Sequence, residues 1–167
     1  QLDRVIRFVS KIKSIDHIER SNINWSMGRF LAIDYGSKRV GLAISDPSKK
    51  IAKAYKTLSN DSVDALLSHI KNEIKINSVE KIILGLPIGM NGKNTSQTEL
   101  VLKFNDKLNI FFNIPIVLED ERLTSLHAKK SLVFQGLKTT SNKENIDSTA
   151  AALLLQNYIN KSIFNAD

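Results

Sequence analysis

The 167-residue chain is 42% hydrophobic and 25% charged, has no cysteine and carries a formal net charge of +7. That length suits one domain with a sizeable core rather than two large ones, no apolar run nears the roughly 18 residues that span a bilayer, and a disulfide framework or thiolate metal site is excluded. The basic balance favours a polyanionic partner, nucleic acid first among them, although lysines scattered by composition alone need bind nothing.

Residues 1–20 place Leu2, Val5, Ile6, Val9 and Ile12 at helical spacing among Arg4, Arg7, Lys11 and Lys13, which predicts a short basic amphipathic helix. Charges interrupt this stretch too often for a secretion signal. Asn22, Asn24 and Ser26 read as a linker, and Met27 directly precedes the first strand-like run, so residues 1–26 are expected to be an extension and 27–167 a single domain.

Phe30 to Ile33 form an apolar run that predicts a buried strand ending on Asp34 and Gly36. Val40, Leu42 and Ile44 alternate with Gly41, Ala43 and Ser45, so a second strand follows a turn at Gly36-Ser37-Lys38. Asp34 thus stands at the mouth of a hairpin with Lys38 and Arg39 beside it. The same pattern also suits an ordinary turn in which the carboxylate bonds only local backbone N–H groups.

A third, short strand is expected over Ala54 to Leu58, and Ser59 or Asn60 can cap a helix whose stripe is Val63, Leu66, Leu67, Ile70 and Ile74. Lys81 to Leu84 reads as a buried strand stopped by Gly85 and Pro87. After a Gly/Asn-rich loop, Ser96-Gln-Thr-Glu99 has the form of a capping box and opens a helix with Leu100, Phe104, Leu108 and Phe111. Ile114 to Leu118 is a fifth strand ending on Glu119-Asp120-Glu121-Arg122. Thr124 can cap a helix to about Gln135, closed by Gly136, and a last helix is read from Asp147 through Ala150, Ala151, Leu154, Leu155, Tyr158 and Ile159.

Three strands in succession, followed by alternating helices and strands, suit a five-stranded mixed α/β sheet covered by helices, with an antiparallel start and later strands parallel to the first. Ligands in such sheets gather beyond the carboxyl ends of the parallel strands, where Asp34 and the acids at 119–121 fall. Asp147 can join them from the last helix, with the small Ala150 and Ala151 allowing that helix close to the sheet. Three converging carboxylates repel one another unless a cation sits among them, and oxygen-only ligation suits Mg²⁺ or Mn²⁺. The alternative is that these are helix caps and surface acids.

Asp34-Tyr-Gly-Ser-Lys-Arg-Val-Gly-Leu-Ala43, Gly85-Leu-Pro87 with Met90 and Gly92, Asp120-Glu-Arg-Leu-Thr-Ser125 with Ala128, and Asp147 with Ala150-Ala151 and Leu155-Gln156 together resemble the successive signatures of the YqgF/RuvX family of Holliday-junction-resolvase-like proteins. The resemblance covers about Met27 to Ile159. It implies an RNase H-like fold and a cytoplasmic enzyme that cleaves structured nucleic acid, with 5′-end maturation of pre-16S rRNA as its role. Branched-DNA resolution is the alternative, and ribosomal particles are an implied partner, with the protein a monomer or homodimer. It carries the catalytic and metal-ligand roles onto Asp34, Glu121 and Asp147, with Mg²⁺ or Mn²⁺ as cofactor, and makes Lys38, Arg39, Arg122 and Lys143 phosphate contacts. The position one turn after Asp147 is Ala150 or Ala151, so the fourth carboxylate of some members of the wider fold has no counterpart. Two other classes remain: a nucleic-acid-binding module without turnover, and a phosphate-binding ATPase-like domain, since an Asp-x-Gly hairpin also opens sugar-kinase and actin ATPases. Those ATPases need two such domains, and this chain holds one.

Overall fold

The computed structural model describes residues 28–123 and 143–164. The amphipathic segment read over residues 1–20 and the helix read from Thr124 lie outside them. Strands β1 (Arg29–Tyr35), β2 (Arg39–Ser45) and β3 (Ala52–Ser59) are followed by α1 (Val63–Ile76), β4 (Val79–Leu86), α2 (Ser96–Phe111) and β5 (Ile116–Asp120). A single 3-10 turn, Glu121–Leu123, follows β5, and α3 spans Lys143–Phe164. The sheet order is β3-β2-β1-β4-β5, with β1, β2 and β3 antiparallel and β4 and β5 parallel to β1, as the element order predicts.

The two-residue period of β1 divides the core. Leu31 and Ile33, joined by Ile82 and Leu84 of β4, face Leu66, Leu67 and Ile70 of α1 and Val101, Phe104 and Leu108 of α2. Phe30 and Ala32, with Ala43, Ala52 and Ile83, face Ala151, Ala152, Leu154, Leu155 and Ile159 of α3. Each fully buried Leu or Ile contributes about 1.5–3 kcal/mol of transfer free energy. The α3 face of the first three strands is built largely of alanine, so the helix lies close to the sheet. Ala151 and Ala152, rather than Ala150, make that contact. A leucine at Ala43 or Ala151 would lift α3 and carry Asp147 with it.

Several boundaries differ from the sequence reading. Ser62 caps α1 by accepting from the Ala65 N–H, in place of Ser59 or Asn60. The α2 capping box is built one residue early, with Thr95 and Thr98 bonding each other's backbone N–H, and the Thr98 hydroxyl also donates to the Pro87 carbonyl. Strand β4 continues through Gly85 to Leu86 because glycine pairs there with Glu119 of β5 without a side chain to obstruct the neighbouring acid. Helix α3 begins at Lys143, since residues 143–146 contain no glycine or proline to stop it. Asp147 is therefore one turn inside the helix and is not its N-cap.

Candidate active site

Asp34 pairs across the sheet with Gly41 of β2. A Cβ on Gly41 would strike the carbonyl of Asp147 and the N–H of Ser148, so glycine is what lets the backbone of α3 rest on β2 at this point. That contact brings Asp147 beside Asp34. The hairpin turn is closed by the Gly36 N–H donating to the Arg39 carbonyl at 3.0 Å, leaving the Asp34 carboxyl to face the cleft. Gln97 of α2 secures the end of β1 by donating to the Tyr35 carbonyl at 2.8 Å.

Glu121 reaches the same cleft by a different device. Regular alternation would put Glu119 and Glu121 on one face, but β5 ends at Asp120 and the chain tightens into the 3-10 turn. Glu119 stays buried beneath α3, accepting from Asn157 at 3.0 Å and from Lys161. Glu121 turns toward Gly85, where any Cβ would collide with its carboxylate. Asp34, Glu121, Ala150, Leu153 and Leu154 line a cleft of about 180 Å³.

The electrostatics tie the three acids together. Burial, followed by the charge of Asp147, pushes the Asp34 carboxyl up to about 6. Burial, followed by the charges of Asp34 and Asp120, pushes Glu121 up to about 7. Both shifts disfavour the ionised forms, through desolvation and like-charge repulsion. Asp147 instead has a guanidinium in place, with Arg39 Nε donating to its Oδ2 at 2.6 Å. Among the described residues no group of three or more His, Cys, Asp or Glu side chains is arranged to hold a metal ion. The oxygen-only donor set and the repulsion between its members nevertheless fit a hard divalent cation, which would favour the ionised form of every carboxylate it touches.

The predicted phosphate contacts divide. Lys38 is exposed on the hairpin turn. Arg39 is engaged by Asp147. Arg122 is clamped by Asp120, its Nη2 donating at 2.7 Å and its Nε at 3.1 Å to each carboxylate oxygen, with the backbone N–H donating at 2.9 Å. Asp120 is thus held below the usual carboxylate range, first by the Arg122 hydrogen bonds, and serves as a partner for a base. The Lys143 side chain lies outside the described residues. Sequence reasoning missed the Arg39–Asp147 pair and the cleft walls at Leu153 and Leu154. The spacing of Ala150 and Leu154 along one helix face was the available signal for those walls.

Residues 28–161 match the sequence profile of the family described as "RuvX: Holliday junction resolvase". The chain is 39% identical over 130 residues to a Rickettsia typhi protein named "Putative pre-16S rRNA nuclease", covering 78% of this chain and 83% of that one. It is 41% identical over 133 residues to a protein of the same name from Caldanaerobacter subterraneus subsp. tengcongensis, covering 78% and 95%. In structure it resembles T. thermophilus RuvC in complex with a Holliday junction substrate, with a TM-score of 0.56 at 11% identity over 81% of this chain and 96% of that one. That likeness establishes an RNase H-like fold.

Proposed function

The chain belongs to the RuvX family of Holliday junction resolvases, and from that premise and the geometry of the cleft we propose a metal-dependent nuclease that hydrolyses phosphodiester bonds in structured nucleic acid. Maturation of the 5′ end of pre-16S rRNA in the cytoplasm is the role we assign, with ribosomal particles as the setting. The observation that carries the reading is that Asp34, from the end of β1, shares a cleft with Glu121, from just beyond β5, while the charge of Asp147 on α3 acts on Asp34. Burial raises Asp34 and Glu121, and the charge of Asp147 adds to the first shift and those of Asp34 and Asp120 to the second.

Asp34, Glu121 and Asp147 would hold Mg²⁺ or Mn²⁺. When bound, the cation supplies neutralisation of the charge that develops on the phosphate and lowers the pKa of a water nucleophile. The protein's own part is positional. Gly41 and Gly85 remove the two side chains that would keep the acids apart. Leu153 and Leu154 form an apolar wall that limits water and strengthens electrostatic interactions in the cleft. Asp120 orients the Arg122 guanidinium at the rim, where its remaining N–H groups can meet a phosphate oxygen in a forked geometry. Lys38 adds a positive charge at the opposite turn.

No helix among the described residues is long and apolar enough to cross a membrane. Branched DNA is a second substrate class, favoured by the family's own description. Incubating the purified protein with a precursor rRNA fragment and with a four-way DNA junction, each with Mn²⁺ and with chelator, tests both. Mn²⁺-dependent cleavage of the RNA supports the proposed role, and cleavage of the junction alone transfers the assignment to branched DNA. No Mn²⁺-dependent cleavage of either would overturn the nuclease reading.

A further inference from the structure

A second cavity, of about 420 Å³, opens beside Arg39 and Ser148. It lies between the end of edge strand β3 and the start of α3, and Arg39, Thr57, Ser59 and Ser148 contribute to its polar lining. Register explains the grouping. Arg39 opens β2 opposite Ser59 of β3, while Ser148 follows Asp147 on the helix that Gly41 admits to the sheet. The Arg39 guanidinium therefore belongs to two neighbourhoods at once, the Asp147 carboxylate at 2.6 Å and the hydroxyl-lined groove. Lys56 also lines the groove, but its ammonium is bonded to Glu73 of α1 at 2.7 Å, and the Ser59 hydroxyl donates to Asp61 at 2.5 Å.

We propose that Arg39 is the stand-in cation of Asp147 in the metal-free protein, and that cation binding releases it into this groove to hold a phosphate of the substrate strand. The proposal rests on the metal-nuclease reading above. A guanidinium cannot lose its charge at working pH, so it neutralises Asp147 permanently as long as the two are in contact. A divalent ion ligated by Asp147 competes for the same carboxylate and repels the guanidinium. Arg39 is a side chain nearly half exposed and free to swing, and the nearest polar space is the groove it already lines. The groove's volume lies within the ~300–1,000 Å³ of small-ligand clefts, and a planar guanidinium matches two phosphate oxygens at once. The strand path this gives runs from the carboxylate cleft, over the start of β2, to the β3 edge. Arg122 then marks the other flank of the scissile phosphate.

Arg39→Gln separates the two halves of the proposal. With no competitor for Asp147, Mn²⁺ binding measured by calorimetry without nucleic acid is expected to tighten about two- to fivefold. Binding of a short labelled RNA, with Ca²⁺ in place of Mn²⁺, is expected to weaken by a similar factor and to lose about 0.7–0.9 from the slope of log affinity against log salt. Arg39→Lys restores the charge without the fork, so the Mn²⁺ affinity and the salt slope should return toward wild type while RNA affinity recovers only in part. In the unaltered protein, the Arg39 Nε–H resonance should exchange faster with water once Mg²⁺ is added, which needs no variant to fold. Unchanged or weaker Mn²⁺ binding in Arg39→Gln, an unchanged salt slope, or an Nε–H signal that ignores Mg²⁺ would each overturn the proposal. Asp34→Asn serves as the control. If that variant loses Mn²⁺ while Arg39→Gln changes nothing, the metal reading stands and the role of Arg39 falls. If Asp34→Asn binds Mn²⁺ as wild type does, the underlying reading has failed.

Discussion

The seam between β3 and α1 and the cleft at the carboxyl ends of β1 and β5 each bury acids, with opposite results. Glu73, on the seam, has little exposed surface, yet it is held below the usual carboxylate range. Burial pushes it up, and hydrogen bonds from Lys56 at 2.7 Å and Tyr55 at 2.8 Å more than offset that, with Asn77 adding a further donor. Asp34 and Glu121, in the cleft, are half-buried and raised to about 6 and about 7, with another acid contributing to each shift. Burial raises the acids of both regions, and hydrogen-bond donors reverse that at Glu73 while acidic neighbours add to it at Asp34 and Glu121. A sheet that can surround Glu73 with donors has instead set Asp34 and Glu121 facing each other, which is costly without a cation and useful with one.

The largest break in this contrast should come from Asp34→Asn. Cation-dependent cleavage is expected to fall by about 100-fold or more, because the amide keeps the shape and loses the charge that holds the ion. The melting temperature should hold or rise, since a repulsive group has been removed. Cleavage and thermal unfolding of the same preparation check both. Next in size is the difference between two adjacent residues. Glu121→Gln is expected to abolish cleavage and weaken Mn²⁺ about tenfold or more, whereas Asp120→Asn should leave Mn²⁺ affinity within about threefold and cost about 0.5–1 kcal/mol through the lost Arg122 pair. Mn²⁺ titration and urea unfolding of both variants make the comparison. Glu73→Gln tests the other region. A stability loss of about 1–3 kcal/mol in urea unfolding, with turnover within about twofold of wild type, is expected from a buried acceptor whose partners lose their charge-assisted bonds.

The comparison also extends to pH dependence. Because Asp34 and Glu121 hold protons more tightly folded than unfolded, their contribution to stability is full below about 4 and is lost as pH rises through about 6 and about 7. Metal-free protein should therefore lose on the order of 1–2 kcal/mol between about pH 5 and 8, after discounting for solvent screening at the cleft. Saturating Mg²⁺ should remove or reverse that trend, and Asp34→Asn should flatten it. Melting curves across this range, with and without Mg²⁺, check the sign.

The fold was legible in the sequence because its strands obey a two-residue period and its helices a 3.6-residue one, and both periods persist in the core: Leu31 and Ile33 against α2, Ala32 against α3. Asp34 was legible for the same reason, as the acid that ends an apolar strand before a glycine. Glu121 was reached by family resemblance rather than by alternation, since the turn at Glu121–Leu123 breaks the strand one residue too soon. The start of α3 was misread because periodicity reports the face that packs and is silent on a polar first turn. The Arg39–Asp147 pair joins residues 108 apart in the chain, and no local pattern could announce it. It depends on Gly41 admitting α3 to the sheet, a packing fact that the hairpin motif contains only as an unexplained glycine.

Calorimetric titration of Mn²⁺ near pH 6.5, in two buffers of different ionisation heat, tests the central claim most directly. If Asp34 and Glu121 are carboxyls held apart from their charge until a cation arrives, binding to the wild-type protein will release about one proton per ion and the measured heat will depend on the buffer. Asp34→Asn should bind at least about tenfold more weakly, with a smaller proton release. Equal Mn²⁺ affinity in wild type and Asp34→Asn, with heats independent of buffer, would contradict the account.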